Sequence, residues 1–598
     1  MTLRTEDQPP TSNHSSNQLK KIWATNRLET MATNAPVTAY KALNEIYPQE
    51  SVLQQGERWN DLATRFQEEF GEKPEHVVRA PGRINLIGEH IDYCLFGVMP
   101  AAVEMDCLIA LSTTTTTTSS NLDDGCSVVI TNLDPSWPGT TLYARRSESG
   151  SGSGQASWEV EGGSGKRGDW VAYLGSALDC VLNKYLTTSE ARPISLKMMI
   201  TGSIPPGSGL SSSAALIVAA LLAILLGNGL VSATPAPSES TLVSQVKNSD
   251  LVQMAREAEA KIGVNSGGMD QSASVLSRVG AGLYVSFVPE LGVEMVQLPS
   301  ISTGADSDVE EEKLVMVIAN SLTKHDLAGG ATKQYNLRVM ETLIGARVLG
   351  RALGVIQDGE KGVEKLQLRQ VVGRFAGEQK GSSSVISSDE LESALEKILP
   401  EVDRILGPDA ESRDVGHLPE GLAGLTGLSD EAFERVFLST IEVDTSDQGG
   451  RFLLYKRVRH VFEGALRVLQ VVRICRGGSG SKANADGGEK AETDVEIVGR
   501  LMNESHASCR DLYECSNDEL NELVDVCRRA GSVGSRLSGA GWGGCVVSLI
   551  PASLEQQFIA QITDEREGYS AYRGLGKKEL ETIVFKTVPG SGAGVMKL

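Results

Sequence analysis

The feature that most constrains this chain is a glycine- and serine-rich stretch that runs directly into its longest apolar segment. Residues 214–226 contain only alanine, leucine, isoleucine and valine. Such a run is too short to span a bilayer, so we predict a helix buried in a core. The stretch before it, at 207–213, reads Gly-Ser-Gly-Leu-Ser-Ser-Ser. The fold must therefore place this helix at its centre, with a glycine-rich turn at one end.

The start of this helix is a candidate anion site. Amides of a first helical turn lack partners inside the helix, and the helix dipole favours negative charge there. Two glycines would let the backbone approach a phosphate closely, and a serine hydroxyl could reach Mg²⁺. A glycine turn capped by serine explains the same pattern, and a Walker loop is excluded because no Gly-Lys-Ser/Thr follows. The candidate phosphate-binding residues are Gly207, Ser208, Gly209, Leu210, Ser211, Ser212 and Ser213.

The charge of the chain argues against a general nucleic-acid binder. Its 598 residues carry 56 Lys and Arg against 77 Asp and Glu, a formal charge of −21. A nucleic-acid binder needs a basic face instead. Nine cysteines without paired spacing indicate reduced thiols rather than disulfides or a zinc site. The N-terminus has no secretory pattern and no segment is long enough to cross a membrane, so we expect a cytoplasmic protein with no membrane partner.

Between low-complexity stretches the chain carries clear secondary-structure patterns. Apolar periodicity predicts helices over 336–353, 452–472 and 518–529. Short apolar runs predict strands at 314–318 and 545–550. Interleaved elements of this kind are typical of an α+β or α/β protein.

The composition shifts along the chain predict its organisation. We expect a disordered segment at 1–35, within which Met31 is an alternative start, because these residues are polar. Ser-, Gly- and Thr-rich stretches read as surface inserts. The predicted domains are an N-terminal one at 36–310 with inserts near 113–168 and 228–245, and a C-terminal one at 311–598 with inserts near 378–390 and 476–492.

A polar cluster interrupts the strand-like region near residue 85. Arg83, Glu89, His90 and Asp92 lie within ten residues of one another, between apolar segments. Buried polar groups are costly unless they are paired or bind something polar, and carboxylates with an imidazole suit sugar hydroxyls. A surface turn with an internal ion pair fits the pattern equally well.

A second pair of carboxylates brackets a glycine turn. Glu259 stands at the end of a helical stretch, and Asp270 follows Gly-Gly-Met. Two carboxylates so placed could divide the work, one holding a metal and one acting as a base. Asp270 is equally a helix start, so this pattern alone leaves both interpretations open.

The stretch Gly-Ala-Gly-Trp-Gly-Gly-Cys at 539–545 contains a formal G-x-G-x-x-G. A dinucleotide-binding fold needs a helix immediately after these glycines. Here a strand-like run ending at Pro551 follows instead. We therefore reject a dinucleotide site and expect this loop to pack close to a phosphate loop.

Taken together, the motifs resemble those of the galactokinase family. Gly-Arg-Ile-Asn-Leu-Ile-Gly-Glu-His-Ile-Asp-Tyr at 82–93 looks like its sugar signature, and 207–215 resembles the phosphate loop of the wider GHMP small-molecule kinases. The stretch 539–545 is similar to their third motif, and 335–341 and 501–515 also match. The likeness covers roughly 40–598 apart from the inserts, and it is greatest to the eukaryotic branch with fungal galactokinases and animal N-acetylgalactosamine kinases.

The resemblance implies an α+β GHMP kinase fold of two domains with the active site in the cleft between them. One domain would resemble the second domain of ribosomal protein S5, and the other would be ferredoxin-like. The implied reaction is MgATP-dependent phosphorylation of the anomeric C1 hydroxyl of galactose, with ATP and Mg²⁺ as cofactors. Asp270 would be the base and Arg83 its electrostatic partner, and residues 207–213 would cradle the phosphates. The implied sugar contacts are Arg83, Glu89, His90, Asp92, Gly267, Asp270 and Tyr335, and the implied Mg²⁺ ligands are Ser212 and Glu259, with Ser211 or Ser213 left open for the hydroxyl.

Three alternatives remain at this stage. An N-acetylgalactosamine kinase differs only in the room beside the sugar C2 hydroxyl, which the sequence does not reveal. A non-catalytic or bifunctional sensor would bind galactose and ATP and act on a transcriptional regulator. The intact phosphate loop, Asp270 and Arg83 favour catalysis over the sensor alone. A mevalonate or homoserine kinase is disfavoured because such kinases lack the Gly-Glu-His-Ile-Asp-Tyr cluster.

The pattern Trp-Val-Ala-Tyr at 170–173 departs from the family at Ala172, where asparagine is common.

Overall fold

A computed structural model provides the structure of the chain. It describes residues 33–114, 125–147, 157–162, 169–188, 191–234, 246–300, 312–324, 330, 332–357, 365–379, 385–478 and 492–598. Residues 1–32, including Met31, and large parts of the predicted inserts lie outside these ranges. The predictions of a disordered N-terminal segment and of surface inserts there stay predictions.

Seven strands from the first half of the chain and β14, at residues 594–597, form an eight-stranded sheet in the order β1-β14-β2-β3-β7-β4-β5-β6. The long strands β2 and β3 pair antiparallel at its centre, and their register shifts between Pro81 and Arg83 and again between Asn85 and Ile87. Such irregularities redirect side chains away from the regular alternation. They fall on the polar cluster seen in the sequence. The strands are β1 Thr38–Tyr40, β2 His76–Ile87, β3 Met99–Thr114, β4 Cys126–Asn132, β5 Thr140–Arg146, β6 Trp158–Glu161, β7 Ser195–Gly202 and β14 Gly594–Lys597.

Helices cover this sheet, and the apolar segment of the sequence is their centre. The helix Ser212–Gly227 packs on β2 and β3 and against three neighbouring helices, and its residues from Ala214 onward are almost all buried. It has no polar face because it has no solvent-facing side. The buried-helix prediction is confirmed. The helices of this layer are α2 Trp170–Tyr185, α3 Ser212–Gly227, α4 Asn248–Lys261 and α5 Met269–Leu276, whereas α1 Val52–Phe70 packs on the opposite face of the sheet through a separate small core.

The second half builds a four-stranded antiparallel sheet in the order β11-β12-β10-β13. Its strands are β10 Leu314–Asn320, β11 Gly534–Ser538, β12 Cys545–Pro551 and β13 Val584–Thr587, and a hairpin of β8 Gly282–Ser286 and β9 Gly292–Val296 packs beside β3. Its helices are α6 Tyr335–Ala352, α7 Leu368–Phe375, α8 Ser388–Ile405, α9 Pro419–Thr426, α10 Asp430–Phe433, α11 Leu454–Cys475, α12 Asp494–Asp511, α13 Asp518–Arg529, α14 Glu555–Ile562 and α15 Lys577–Ile583.

The α+β prediction is confirmed, and the elements predicted from periodicity lie where they were expected. The predicted helix at 336–353 is α6, with each end one residue off. The helix predicted at 452–472 is α11, which begins two residues and ends three residues later, and the helix predicted at 518–529 coincides with α13. The strands predicted at 314–318 and 545–550 are β10 and β12.

The last strand belongs to a different sheet from the one that the predicted domain boundary implies. A boundary at 310/311 assigns residues 594–597 to the second domain, whereas β14 inserts between β1 and β2 of the first sheet. Ser591 and Gly592, just before it, accept hydrogen bonds from the buried side chain of Arg79 at 2.8–3.1 Å. This pairing joins residues more than 500 positions apart, which no local pattern can reveal.

Among the residues that the structure describes, no helix combines the length and the apolar character needed to cross a membrane. All nine cysteines are free thiols, and eight of them are buried.

Candidate active site

A cavity of about 510 Å³ opens where the two sheets meet. Its walls come from the end of β2, the start of α3, the turn before α5 and the loop after β11. The motifs that the sequence keeps far apart therefore face one cleft. The predicted site residues that line it are Arg83, Glu89, His90, Asp92, Gly207, Gly209, Ser211, Ser212, Ser213, Glu259, Asp270 and Tyr335.

Three other predicted residues are buried behind the cleft surface. The side chains of Ser208 and Leu210 are almost fully covered, and the Leu210 carbonyl accepts the backbone N–H of Arg83 at 3.1 Å. Gly267 packs so closely on Asp92 and Tyr93 that a Cβ there would collide with both. These residues shape the site through their backbones rather than through exposed side chains.

The loop before α3 has the backbone that a phosphate cradle needs. Gly207 and Gly209 adopt positive φ values of 72° and 75°, and Ser211 does so at 59°. Ser211 precedes the first residue of α3 but its hydroxyl does not cap the helix. The amides of the first turn of α3 therefore face the cleft end without a side-chain cap, which is the arrangement that binds anions.

The third glycine-rich loop packs directly on this cradle. A Cβ on Gly539 would lie 2.5 Å from the Gly209 carbonyl oxygen, and a Cβ on Gly544 would lie 2.9 Å from that of Ser208. Only glycine permits this approach. The prediction that this loop packs on the stretch 207–213 is therefore confirmed, and the strand β12 that follows it agrees with the rejection of a dinucleotide site.

A bidentate ion pair joins Arg83 to Asp270 at the centre of the cleft. The guanidinium donates to the two carboxylate oxygens at 2.7 and 2.9 Å, and its remaining Nη1 donates to the Gly209 carbonyl at 2.7 Å. The Ser211 hydroxyl also donates to Asp270. Burial opposes the charge of Arg83, but Asp270 and Glu89 outweigh burial and raise its pKa. The Asp270 side chain remains 25% exposed, so it can still be reached from the cleft.

Glu259 lies beside the same loop and is a candidate cation ligand. Its Oε2 accepts hydrogen bonds from Ser266 and Gln271 at 2.7 and 2.6 Å, and its Oε1 lies 3.5 Å from the hydroxyl of Ser213. Burial, followed by repulsion from Asp270, raises the pKa of Glu259 to about 7. A divalent cation would relieve this repulsion, and Mg²⁺ commonly takes one or two carboxylates together with substrate phosphates.

The Glu259 carboxylate and a neighbouring hydroxyl are oxygen donors of the kind that suit Mg²⁺. The hydroxyl next to Glu259 is that of Ser213 rather than that of Ser212. Ser212 lines the cleft without a hydrogen bond to that carboxylate. Within the described ranges, no cluster of three or more His, Cys, Asp or Glu side chains could hold a metal without substrate oxygens.

Glu89 and Asp92 form the opposite wall. Glu89 is buried and already accepts three hydrogen bonds, from the Asn85 side chain, the Arg536 guanidinium and the Gly539 amide. Asp92 accepts the amide of Met269 at 3.3 Å. Burial, and then the charge of Asp270, raise the pKa of Asp92 to about 6.

Aromatic side chains pack around His90 and complete this wall. The residue has a positive φ of 59°, and its Nε2 lies 2.8 Å from the Ala540 carbonyl. Because a carbonyl only accepts, Nε2 carries the proton and Nδ1 can accept from the Tyr93 hydroxyl at 3.1 Å. The rings of Tyr335, Tyr513 and Trp542 lie 5.4, 4.9 and 5.7 Å from the imidazole.

The other end of the cleft is apolar, and of the three side chains that define it here only Trp137 belongs to no pattern seen in the sequence. Trp137 and Trp170 meet edge to face with their ring centroids 6.3 Å apart, and Leu216 of α3 lines the same lobe. These residues come together only when the loop after β4, α2 and α3 pack side by side. Among the described cleft residues that motif analysis missed, Lys324 adds a positive charge at the mouth. No motif marks it, because it lies in an irregular segment after β10.

Comparison with known proteins identifies the family. The galactokinase galactose-binding signature matches residues 64–113, the N-terminal domain of GHMP kinases matches 172–278, and their C-terminal domain matches 489–568. A galactokinase of Saccharomyces cerevisiae is 32% identical over 91% of this chain and 95% of its own length. The chain belongs to the galactokinase family.

Two further comparisons agree with membership of the family. A galactokinase of Dictyostelium discoideum is 31% identical over 93% of this chain and 97% of its own length. The crystal structure of Lactococcus lactis galactokinase complexed with galactose matches with a TM-score of 0.53 over 90% of this chain and 99% of that one, at 20% identity, which supports the shared fold. The chain is therefore an enzyme of this kinase family with the two-domain GHMP fold, and a kinase uses ATP as its phosphoryl donor.

Proposed function

We propose that this protein transfers the γ-phosphoryl group of MgATP to the C1 hydroxyl of galactose, giving galactose 1-phosphate and ADP. One observation carries the proposal: the Asp270 carboxylate, held at two points by Arg83, lies within hydrogen-bonding reach of the phosphate loop at Ser211. The relatives named galactokinase, and the solved relative complexed with galactose, support the choice of sugar.

The chemistry follows from the positions of these groups. Asp270 takes the proton of the C1 hydroxyl as its oxygen bonds to the γ-phosphorus, and ADP leaves. Arg83 keeps Asp270 in place and lies where negative charge develops on the attacking oxygen. Phosphoryl transfer depends mainly on positioning and charge stabilisation, so a base, an arginine and an amide cradle are sufficient protein groups.

The remaining cleft residues bind and orient the two substrates. The apolar lobe of Trp137 and Trp170 would take the adenine, the amides at the start of α3 would hold the phosphates, and Lys324 would pair with phosphate oxygens. Glu259 would hold Mg²⁺ with the hydroxyl of Ser213 or, as the motif implies, Ser212. When bound, Mg²⁺ would neutralise phosphate charge. The proposed sugar contacts are Arg83, Glu89, His90, Asp92, Gly267, Asp270 and Tyr335.

A coupled ADP-release assay with MgATP tests the proposal, with galactose and N-acetylgalactosamine compared side by side. Turnover on galactose is the expected result. Preferential turnover on N-acetylgalactosamine would instead indicate an N-acetylgalactosamine kinase. Binding of galactose without ADP release would contradict catalysis and favour the sensor, whose transcriptional-regulator partner stays a prediction. The cytoplasmic location stays a prediction as well.

A further inference from the structure

Arg536 is a fully buried arginine on β11 that takes part in none of the sequence motifs. Its Nη1 donates to Glu89 Oε2 at 2.9 Å and to the Asn85 carbonyl at 3.1 Å, and its Nη2 faces the Cys509 sulfur at 3.8 Å. A buried ion pair is weak evidence for stability, because desolvation of both charges can exceed their attraction. The pair also bridges the two sheets beside the cleft, which points to a role beyond stability.

Glu89 connects this arginine to the cleft surface. Its Oε2 is occupied by Arg536 and Asn85, whereas its Oε1 accepts only the Gly539 amide, at 2.7 Å. A carboxylate oxygen can accept two hydrogen bonds. Oε1 therefore keeps one acceptor position, while Arg536 and Asn85 fix the orientation of the carboxylate through Oε2.

The hydrogen bond between Glu89 and the Gly539 amide also links Arg536 to the pair of Arg83 and Asp270. Gly539 is held by Glu89 and lies against the Gly209 carbonyl, and that carbonyl accepts Nη1 of Arg83 at 2.7 Å. The next residue of the loop, Ala540, accepts the His90 Nε2–H at 2.8 Å. A shift of Glu89 would thus displace the sugar wall and the support of Arg83 together.

We propose that Arg536 is a positioning residue for sugar binding, which through Glu89 fixes the third glycine loop and the sugar wall in a single arrangement. This inference rests on the proposed function, because it takes the cleft beside Glu89 as the sugar site. The guanidinium suits the role because its Nη1 serves Glu89 and the Asn85 carbonyl while its Nη2 contacts Cys509, so one rigid planar group is held at both nitrogens. A lysine offers a single nitrogen on a flexible chain.

Three variants test the inference: Arg536→Gln, Arg536→Lys and Asn85→Ala, the last removing one donor to Glu89 Oε2. We expect Arg536→Gln to raise KM and Kd for galactose about tenfold, the size of effect that the loss of one good hydrogen bond produces, with KM for ATP nearly unchanged. Arg536→Lys should give a smaller shift. A loss of folded protein alone lowers the apparent kcat without changing KM for galactose. A change in KM for galactose therefore distinguishes a positioning role from a role in stability.

Arg369→Gln is the matched control. Arg369 is also buried and forms a bidentate pair with Glu378 at 2.8 and 3.2 Å, but neither residue lines the cleft. It should lower the melting temperature and leave KM for galactose as in the wild type.

The Kd for galactose is also measured by calorimetry. A failure of the proposed kinase function can then be told apart from a failure of the proposed role of Arg536. Wild-type binding without ADP release would refute the proposed function, while the variants would still report on Arg536. Unchanged Kd and KM for galactose in the soluble variants would overturn the role of Arg536, and so would an equal shift in Arg369→Gln. Absence of galactose binding in the wild type would overturn both.

Discussion

Asp270 and Arg83 are separated by 187 positions in the sequence and meet through hydrogen bonds of 2.7 and 2.9 Å. Both residues were predicted from motifs, because glycine turns and a charged cluster leave local signs. Their pairing was implied only by family resemblance. The supporting residues Arg536, Trp137 and Lys324 were not found, since each lies in a segment whose role depends on what packs against it.

Replacement of the base tests the centre of the site. Asp270→Asn keeps the shape of the side chain but removes the proton acceptor, so we expect kcat to fall by about 10²–10⁴-fold. ATP binding should persist, because the substitution leaves in place the apolar lobe and the backbone amides of 207–213, where ATP is proposed to bind. ADP release and ATP affinity are measured on the same preparation. A variant with wild-type turnover would remove Asp270 from the role of base.

The buried carboxylate of Asp92 makes stability depend on pH. Its pKa rises from the ordinary 3.8 to about 6 in the folded chain, first through burial and then through Asp270. The folded state therefore holds its proton more tightly, and the contribution of Asp92 to the free energy of unfolding should fall by up to about 3 kcal/mol as pH rises through this interval. Asp92→Asn cannot titrate there. Urea denaturation at several pH values should show a difference between the two proteins that grows up to about pH 6 and then levels off, whereas a constant difference would contradict the shift.

At the scale of elements, the clearest prediction from sequence was α3, since an uninterrupted apolar run can only be buried. Its start was less certain. Three consecutive serines precede or open the helix, and a change of one residue in the first turn rotates a side chain by about 100°. The motif therefore could not decide which hydroxyl faces Glu259. The structure brings Ser213 to within 3.5 Å of that carboxylate.

The Mg²⁺ dependence of turnover tests this geometry. Ser213→Ala should raise the Mg²⁺ concentration needed for half-maximal rate several-fold, because it removes the hydroxyl oxygen beside Glu259 that is proposed as a ligand. Ser212→Ala serves as the matched change on the same turn and should have the smaller effect, while Glu259→Ala should have the largest. Titrations of Mg²⁺ at saturating ATP and galactose distinguish the three. The reverse order of the two serines would return the ligand role to Ser212.

At the scale of the whole molecule, the chain closes on itself through β14. This strand lies between β1 and β2, and the segment before it accepts hydrogen bonds from Arg79 across 512 positions. The α+β class could be predicted from the pattern of helices and strands, and the two-domain fold from the family resemblance. The return of the last strand to the first sheet could not be predicted, because β14 is four residues long and carries no distinctive pattern.

Removal of residues 591–598 should therefore destabilise the first sheet, although it removes no residue of the cleft. It leaves β1 without its neighbour and leaves the buried Arg79 without three of its acceptors, at a cost of several kcal/mol. We expect a strongly lowered melting temperature or insoluble protein. The matched deletion is 148–156, replaced by Asn-Gly, because Ser147 and Ser157 already pair at 2.8 Å as a hairpin would. That protein should keep its activity, and equal losses in both would contradict the role of β14.

The position of β14 also bears on how the chain is made. The ribosome releases β1, β2 and the catalytic motifs of the first half long before the strand that pairs with both is synthesised. Until then the facing edges of β1 and β2 lack their shared neighbour, and unpaired edges invite pairing between chains. The amino-terminal half therefore keeps these strand edges unpaired until β14 is made, and the first sheet closes only after residues 594–597 have left the ribosome.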